Sequence, residues 1–176
     1  IDPNKNDLIL EECDTIDEVL TVTVPENAVV PKADVYFLAD TTGSMAPVLA
    51  AVQAGADSIL TALDALGLNL AFGVGNYKDF PNDPYAFQHQ LNPTAVKTDV
   101  ETAINSWSAN GGNDGSEGQL FALDQLAEPP GGTIGWRSDS KRIVVWFGDA
   151  PGHDPICPDI SPLVTTEITE ATATNK

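Results

Sequence analysis

The sequence predicts an α/β fold, doubly wound, with a mostly parallel sheet and helices on both faces. Two continuous apolar runs, "DVYFLAD" at 34–40 and "RIVVWFGD" at 142–149, are typical of strands buried on both faces. Amphipathic helical segments lie between such strands, and this alternation favours a doubly wound sheet. The 176 residues suit one domain with a sizeable core.

The first 33 residues are predicted to form an arm with a β-strand, and residues 34–176 the domain. In the arm, Leu20, Val22 and Val24 alternate with threonines, which is the pattern of a half-buried strand.

The best helix is predicted from Met45 to Leu66, with Ser44 as its N-cap and Gly67 as its stop. Apolar residues at steps of three and four predict one buried stripe. Its members are Leu49, Val52, Ala56, Ile59, Leu63 and Leu66.

A strand follows in "LNLAFGVGNY", where Ala71, Gly73 and Gly75 form a small-residue face on which a helix can pack closely. A shorter strand is predicted in "YAFQHQL". Further helices are predicted at Thr94–Trp107 and around Leu120–Leu126. The first of these carries its apolar side on Val96, Val100, Ile104 and Trp107.

The tail from Ser161 has only a weak helical pattern, and the chain stops at Lys176. A domain of this kind continues with another strand and helix, so Ile143–Phe147 should lie near an open edge. We expect a missing segment or a second chain to complete the sheet.

The charge is strongly acidic, with 8 basic and 26 acidic residues and a net charge of −18. Such a chain lacks the basic side chains that bind nucleic acid or anionic lipid. The charge fits cation binding or simply a solvated acidic surface.

No apolar run looks long enough to span a membrane, and we expect no membrane insertion. The polar start lacks Met, so a signal peptide is either already removed or never existed. Cys13 and Cys157 match no zinc spacing and are either joined in a disulfide or free.

Acidic and hydroxyl side chains follow the predicted strands and should meet at their carboxyl ends, where open α/β sheets bind ligands. The segments are Asp40-Thr41-Thr42-Gly43-Ser44, Asn113-Asp114-Gly115-Ser116-Glu117, Asp149 and Asp79. All the donors are oxygens, which suits Mg²⁺ or Ca²⁺. His89 and His153 stand alone in the sequence and are interpreted as ordinary polar residues.

The spacing in "DTTGS" lets the hydroxyls of Thr42 and Ser44 bind a metal directly, and Asp40 through water. A metal held largely by neutral hydroxyls keeps unneutralised positive charge, so it attracts a carboxylate from a partner. The helix N-terminus at Ser44 opposes a cation, and the full charges of Asp40, Glu117 and Asp149 must outweigh it. Taken alone, "DTTGS" is more often an ordinary turn and cap.

The segment "DTTGSM" resembles the D-x-[ST]-x-S signature of von Willebrand factor A (vWA) domains, whose metal-ion-dependent adhesion site (MIDAS) it forms. Other segments are similar to the I-like domain of integrin β subunits. They are "FGVGNYKD", "YAFQHQLNPT", "GGNDGSEGQ" and "GTIGWRSDSKRIVVWFGDAPGH". The likeness covers Asp34 to about His153.

The resemblance implies two metal sites. The adhesion site, for Mg²⁺ or else Mn²⁺ or Ca²⁺, would comprise Asp40, Thr42, Ser44, Glu117 and Asp149. The neighbouring Ca²⁺ site would comprise Asp79, Asn113, Asp114, the carbonyl of Ser116, and Glu117, which bridges the two ions.

Some segments depart from the integrin pattern. Ala46, Pro47 and Val48 replace the acids of a third metal site, so we expect that site to be absent. The loop from Asp79 to Tyr85 is short and lacks a cysteine pair. These departures favour a microbial or stand-alone relative.

Three functions are compatible with these features. The resemblance favours a metal-dependent adhesion module, outside the cell or on its surface, that binds an acidic group of a protein or matrix partner. A structural module with a loop-stabilising metal is the alternative. A phosphate-handling enzyme is the least favoured: "GDAPGHD" resembles a GTPase segment, but no G-x-x-x-x-G-K-[ST] sequence accompanies it.

Overall fold

The computed structural model describes residues 31–155. The predicted arm strand at Leu20–Val24, both cysteines and the tail from Ser161 lie outside this range. The elements are β1 (Lys32–Asp40), a 3₁₀ turn (Gly43–Met45), α1 (Ala46–Asp64), β2 (Asn69–Tyr77), β3 (Phe87–Thr94), α2 (Lys97–Asn105), α3 (Gln119–Leu126) and β4 (Lys141–Phe147).

The strands form one sheet in the order β3-β2-β1-β4. β1 pairs in parallel with β2 and β4, whereas β3 runs antiparallel to β2. The mostly parallel sheet that the sequence predicts is therefore confirmed, with β3 as an antiparallel edge strand.

Side chains of β1 alternate between two apolar cores. On one face, Val35 and Phe37 pack with residues of α1 and α2, among them Leu49 and Ile104. On the other face, Tyr36 and Leu38 pack with α3 and the segment before β4, including Ala122, Leu126, Ile134 and Trp136. Helices thus cover both faces, and β1 is the doubly buried strand that its apolar run predicts.

The buried stripe of α1 differs from the prediction. Leu49, Ala56 and Leu60 are buried, whereas Ile59 is 39% exposed and Leu66 is 61% exposed. Leu60 lies four residues after Ala56, on the face of the helix that Leu49 and Ala56 bury, whereas Ile59 lies to one side of that face. Leu66 lies beyond the helix, which ends at Asp64. The stop is as predicted, since Gly67 has a φ of +67°.

The small-residue face of β2 was predicted to receive a helix, and this is wrong. It receives the ring of Tyr36 from the neighbouring strand, which is fully buried. A Cβ added at Gly73 would lie 2.5 Å from Cδ2 of Tyr36. The absent side chains of β2 therefore make room for an aromatic side chain of β1.

The expectation that β4 is buried on both faces is also wrong. Ile143, Val144 and Trp146 are 44%, 37% and 47% exposed. The reason is position: among residues 31–155, β4 has β1 as its only neighbour in the sheet. This agrees with the open edge expected there, while completion by a second chain or a missing segment stays a prediction.

By length and composition alone, the helical segment Gly43–Asp64 is apolar enough to cross a membrane, contrary to the sequence interpretation. One such helix is weak evidence, because core helices of globular domains pass the same criterion. This helix contributes Leu49, Ala56 and Leu60 to the core against the sheet.

We predict that Gly73→Ala lowers the free energy of unfolding by about 1 to 3 kcal/mol, because the buried ring of Tyr36 has little space to move. Urea unfolding measures this. The control is Gly55→Ala in α1, where the new Cβ lies 3.8 Å from Ile59 Cδ1. That change should raise stability by about 0.5 to 1 kcal/mol. Equal effects of the two substitutions would contradict the packing of Tyr36 on β2.

Candidate metal centre

The carboxyl ends of β1, β2 and β4 lie at the same edge of the sheet, and the loops at this edge are joined by backbone hydrogen bonds. Asn110 N–H donates to the carbonyl of Thr41 at 3.0 Å, and Gly43 N–H donates to that of Gly111 at 3.1 Å. The loop containing Glu117 is in turn bridged to Gly152. The separated acidic segments therefore meet at this edge, as the sequence predicts.

Asp40 ends β1 and is fully buried. Its Oδ1 accepts hydrogen bonds from the backbone N–H of Thr42 at 2.8 Å and from the Thr42 hydroxyl at 2.7 Å. Its Oδ2 is buried without a hydrogen-bond partner among the described residues. Burial, and secondarily the charge of Asp149, raise the pKa of Asp40 despite the bonds from Thr42.

Ser44 and Asp149 form the exposed part of the same group. The Ser44 hydroxyl donates to Asp149 Oδ1 at 3.1 Å, and this bond links the segment after β1 to the segment after β4. The prediction that Ser44 caps α1 is wrong, because a 3₁₀ turn precedes the helix and its N-cap is Met45. The hydroxyl of Ser44 therefore faces the acidic group.

Glu117 is 3% exposed, and its Oε2 has no hydrogen-bond partner in the described part of the chain. Burial, together with the charge of Asp40, raises the pKa of Glu117 to about 7, although the hydroxyl of Thr42 lowers it. The five predicted adhesion-site residues thus form one group through their contacts and charges. Buried oxygens without partners and carboxyls with raised pKa values fit a site built around a cation.

Gly112 allows the loop to approach this group. Its φ is +72°, a conformation that favours glycine. A Cβ here would lie 2.9 Å from Cβ of Thr42 and 3.2 Å from Oε1 of Glu117. Asp83 fixes the position by accepting the N–H of Gly112 at 2.9 Å.

A second cluster lies beside the first. Candidate ligand atoms of Asp79, Asp114 and His153 all lie within 4.8 Å of one another. His153 Nε2 is 3.1 Å from Asp79 Oδ1 and 3.5 Å from Asp114 Oδ1. The interpretation of His153 as an isolated polar residue is therefore wrong, because the turn after β4 places it between two predicted ligands.

Asn113 and Ser116 contribute backbone groups to this cluster. The N–H of Asn113 donates to Asp79 Oδ2 at 3.2 Å, and the N–H of Ser116 donates to Asp114 Oδ1 at 2.9 Å. Their predicted roles as metal ligands stay predictions. His89, also interpreted as standing alone, stacks on Tyr36 and contacts its hydroxyl through Nδ1 at 2.7 Å.

A family model described as "Integrin beta-like protein A-E, vWA-like" matches residues 1–166. The chain belongs to this family. The predicted resemblance to vWA domains and to integrin β I-like domains is thereby confirmed.

Similar proteins carry this vWA-like domain as a small part. Integrin beta-like protein B of Dictyostelium discoideum is 25% identical over 150 residues, 85% of this chain and 7% of that protein. Integrin beta-2 of Ovis canadensis is 29% identical over 134 residues, 63% of this chain and 17% of that protein. Alpha-protein kinase vwkA of D. discoideum is 29% identical over 127 residues, 68% of this chain and 19% of that protein.

The chain therefore spans less than a fifth of each of these relatives. Homology to vWA and integrin I-like domains supports an adhesion or ligand-binding module and suggests a divalent-metal site.

Sequence reasoning missed Lys78 in this vWA-like domain. Lys78 is 5% exposed and directs its ammonium under the loops, where it donates to the carbonyls of Thr41 at 2.7 Å and Asn110 at 2.5 Å. Burial lowers the pKa of Lys78, while the charges of Asp83, Asp40 and Glu117 raise it. The available signal was a lysine directly before the predicted ligand Asp79.

We predict that Lys78→Met lowers the free energy of unfolding by about 3 kcal/mol or more, since it removes a buried counter-charge and the hydrogen bonds that its ammonium donates to the loops. Lys97→Met is the matched control, because Lys97 pairs with Asp64 at 3.2 Å on the surface. The control should cost at most about 1 kcal/mol. Urea unfolding of both variants tests this, and similar small losses would contradict the structural role of Lys78.

A pH dependence follows from Glu117 in protein stripped of metal by a chelator. The pKa of Glu117 rises from 4.5 to about 7 on folding, so the folded state holds the proton more tightly. Stability from this group is complete below pH 4.5 and is lost as the pH rises to about 7. The loss amounts to roughly 3 kcal/mol.

Urea unfolding at pH 5 and pH 8 measures this loss. Glu117→Gln should remove most of the difference between the two pH values, and Glu101→Gln on α2 serves as the control. An unchanged difference in Glu117→Gln would assign the pH dependence to other groups.

Proposed function

We propose that this chain is a metal-dependent adhesion or ligand-binding module and not an enzyme. A divalent cation, Mg²⁺ or else Mn²⁺ or Ca²⁺, would be held by Asp40, Thr42, Ser44, Glu117 and Asp149. The observation that supports this most is the pair of buried carboxylate oxygens, Asp40 Oδ2 and Glu117 Oε2, that lack hydrogen-bond partners among the described residues.

The site has a buried part and an exposed part, and each contains both carboxylate and hydroxyl oxygens. Asp40 and Glu117 are buried, whereas Ser44 and Asp149 are exposed. A cation bound here would supply an electrophilic centre for a carboxylate of a protein or matrix partner. The side chains of this chain would hold the ion and leave its solvent side to the partner.

The overall charge makes the cation necessary for an acidic partner. The net charge is −18, and carboxylates also form the rim of the site. Without the ion, these charges repel an approaching carboxylate. A bound cation offsets most of this local negative charge and offers the carboxylate a ligand position, so binding should depend on the divalent cation and not only on shape.

We further propose an extracellular or cell-surface location, since the family likeness is to integrin β proteins. No nucleic-acid binding or membrane insertion is proposed. The alternative, an assembly module in which the metal only stiffens the loops, has less support. Lys78 and the backbone bonds of Gly43 and Asn110 already join those loops.

Calorimetric titration of the chelator-treated chain with MgCl₂ tests the ion. We predict that Ser44→Ala and Asp149→Asn each weaken Mg²⁺ binding by about tenfold or more, because the first removes an oxygen donor and the second removes a negative charge. Ser58→Ala, at an exposed position of α1, should bind as the original chain does. MnCl₂ and CaCl₂ are titrated in the same way, and absence of binding below millimolar concentrations for all three ions would refute the proposal.

The partner is tested with peptides that carry Asp or Glu and with their Asn or Gln counterparts. Binding of the acidic set alone, lost with EDTA and in Ser44→Ala, is the expected result. Mg²⁺ binding with no metal-dependent peptide capture would favour the assembly module. Release of phosphate from GTP or a phosphoester by the pure chain would favour an enzyme.

A further inference from the structure

The cluster of Asp79, Asp114 and His153 contains an imidazole nitrogen where the family likeness predicts an all-oxygen calcium site. Asp79 is fully buried, and Asp114 and His153 lie nearer the surface. Nε2 of His153 lies within 3.1 to 3.5 Å of one oxygen of each carboxylate. The side chains therefore converge on a single point from three separate loops.

Each carboxylate is held in place by groups outside the cluster. Asp79 Oδ2 accepts from Asn82 Nδ2 at 2.7 Å and from the N–H of Asn113 at 3.2 Å. Asp114 Oδ1 accepts from the N–H of Ser116 at 2.9 Å. These bonds orient the carboxylates before any ion arrives, as is usual around metal ligands.

Glu117 lies beside this cluster and adds a second observation that points to a cation. Its backbone carbonyl accepts the N–H of His153 at 3.0 Å, so the two residues are fixed to each other. Its buried side chain keeps Oε2 without a partner among residues 31–155. The negative charge of Asp79 acts on the same side chain. Unpaired negative charge thus extends from the adhesion site to this cluster.

The mixture of donors decides which cation fits. Ca²⁺ and Mg²⁺ in proteins take oxygen ligands, whereas an imidazole suits transition metals and zinc. We propose that Asp79, Asp114 and His153 form a nitrogen-and-oxygen site that binds a divalent transition metal in preference to Ca²⁺. Mn²⁺ is the weakest of these metals for such a site and serves as the paramagnetic probe. This proposal rests on the proposed function only in that both place a divalent cation beside Glu117.

In this arrangement neutral His153 presents the lone pair of Nε2 to the metal and carries its proton on Nδ1. The competing role is a hydrogen bond from Nε2–H to Asp79, in which His153 only positions a calcium ligand. The two roles differ in one observable: whether a nitrogen is bonded to the metal.

Pulsed EPR of the chain with Mn²⁺ tests this directly. The protein is prepared without a polyhistidine tag, so that His89 and His153 are the 2 histidines in the sample. Both ring nitrogens of His89 are occupied, Nδ1 by Tyr36 and Nε2 by Asn92 Oδ1 at 2.8 Å. Mn²⁺ is a better probe than Zn²⁺, because thiols of Cys13 and Cys157, if they are free, would also bind zinc.

We predict ¹⁴N modulation from one imidazole in the Mn²⁺ spectrum. It should disappear in His153→Ala and His153→Gln and persist in His89→Gln. In titrations, His153→Ala should weaken Mn²⁺ at this cluster by about tenfold or more and Ca²⁺ by clearly less. The absence of ¹⁴N modulation, or equal weakening of both ions, would overturn the proposal.

The Ser44→Ala variant distinguishes the adhesion site from the imidazole site. That variant should keep the ¹⁴N signal while it loses Mg²⁺-dependent peptide binding. If the unaltered chain gives the ¹⁴N signal but shows no Mg²⁺-dependent peptide binding, the proposed function alone is refuted. A missing signal with Mg²⁺-dependent peptide binding intact would refute the imidazole site alone.

Discussion

The burial of β1 on both faces is the constraint on which the site depends. Because both cores pack against this strand, its last residue, Asp40, reaches the edge of the sheet inside the protein and not in water. A carboxylate in that position keeps its charge only if nearby groups compensate it. Two donors from Thr42 satisfy one oxygen, and the other is left without a partner in the described chain. The buried, incompletely compensated carboxylate of the centre therefore follows from the burial of β1.

Lys78 is the internal counter-charge, and its position limits what it can do. Its ammonium donates to the carbonyls of Thr41 and Asn110 and to the side chain of Asn110, so it fixes loops and pairs directly with no carboxylate of residues 31–155. Asp40 and Glu117 therefore still have raised pKa values. One buried lysine keeps the loops in place but leaves the negative charge in excess, which is the electrostatic condition that a bound cation would relieve.

The sequence predicted the strands, the edge where ligands bind and the acidic residues there, because these depend on local pattern and on the rule for parallel sheets. It did not predict Tyr36 on the glycines of β2, since which side chain fills a small-residue face depends on the register between strands. It also missed His153 and Lys78. The position of Lys78 directly before Asp79 was a signal for its role, whereas the contacts of His153 depend on the exact path of the turn after β4, which residue type and spacing do not encode.

The segment 149–153 links the two clusters mechanically. It carries Asp149, which accepts from Ser44, and His153, which contacts Asp79. Between them, Pro151 and His153 exchange backbone hydrogen bonds with Glu117 at 2.9 Å and 3.0 Å. A shift of this short segment therefore alters donors in both clusters at once. If cations bind in both, their affinities must be coupled, and by thermodynamic linkage each ion changes the affinity for the other by the same factor.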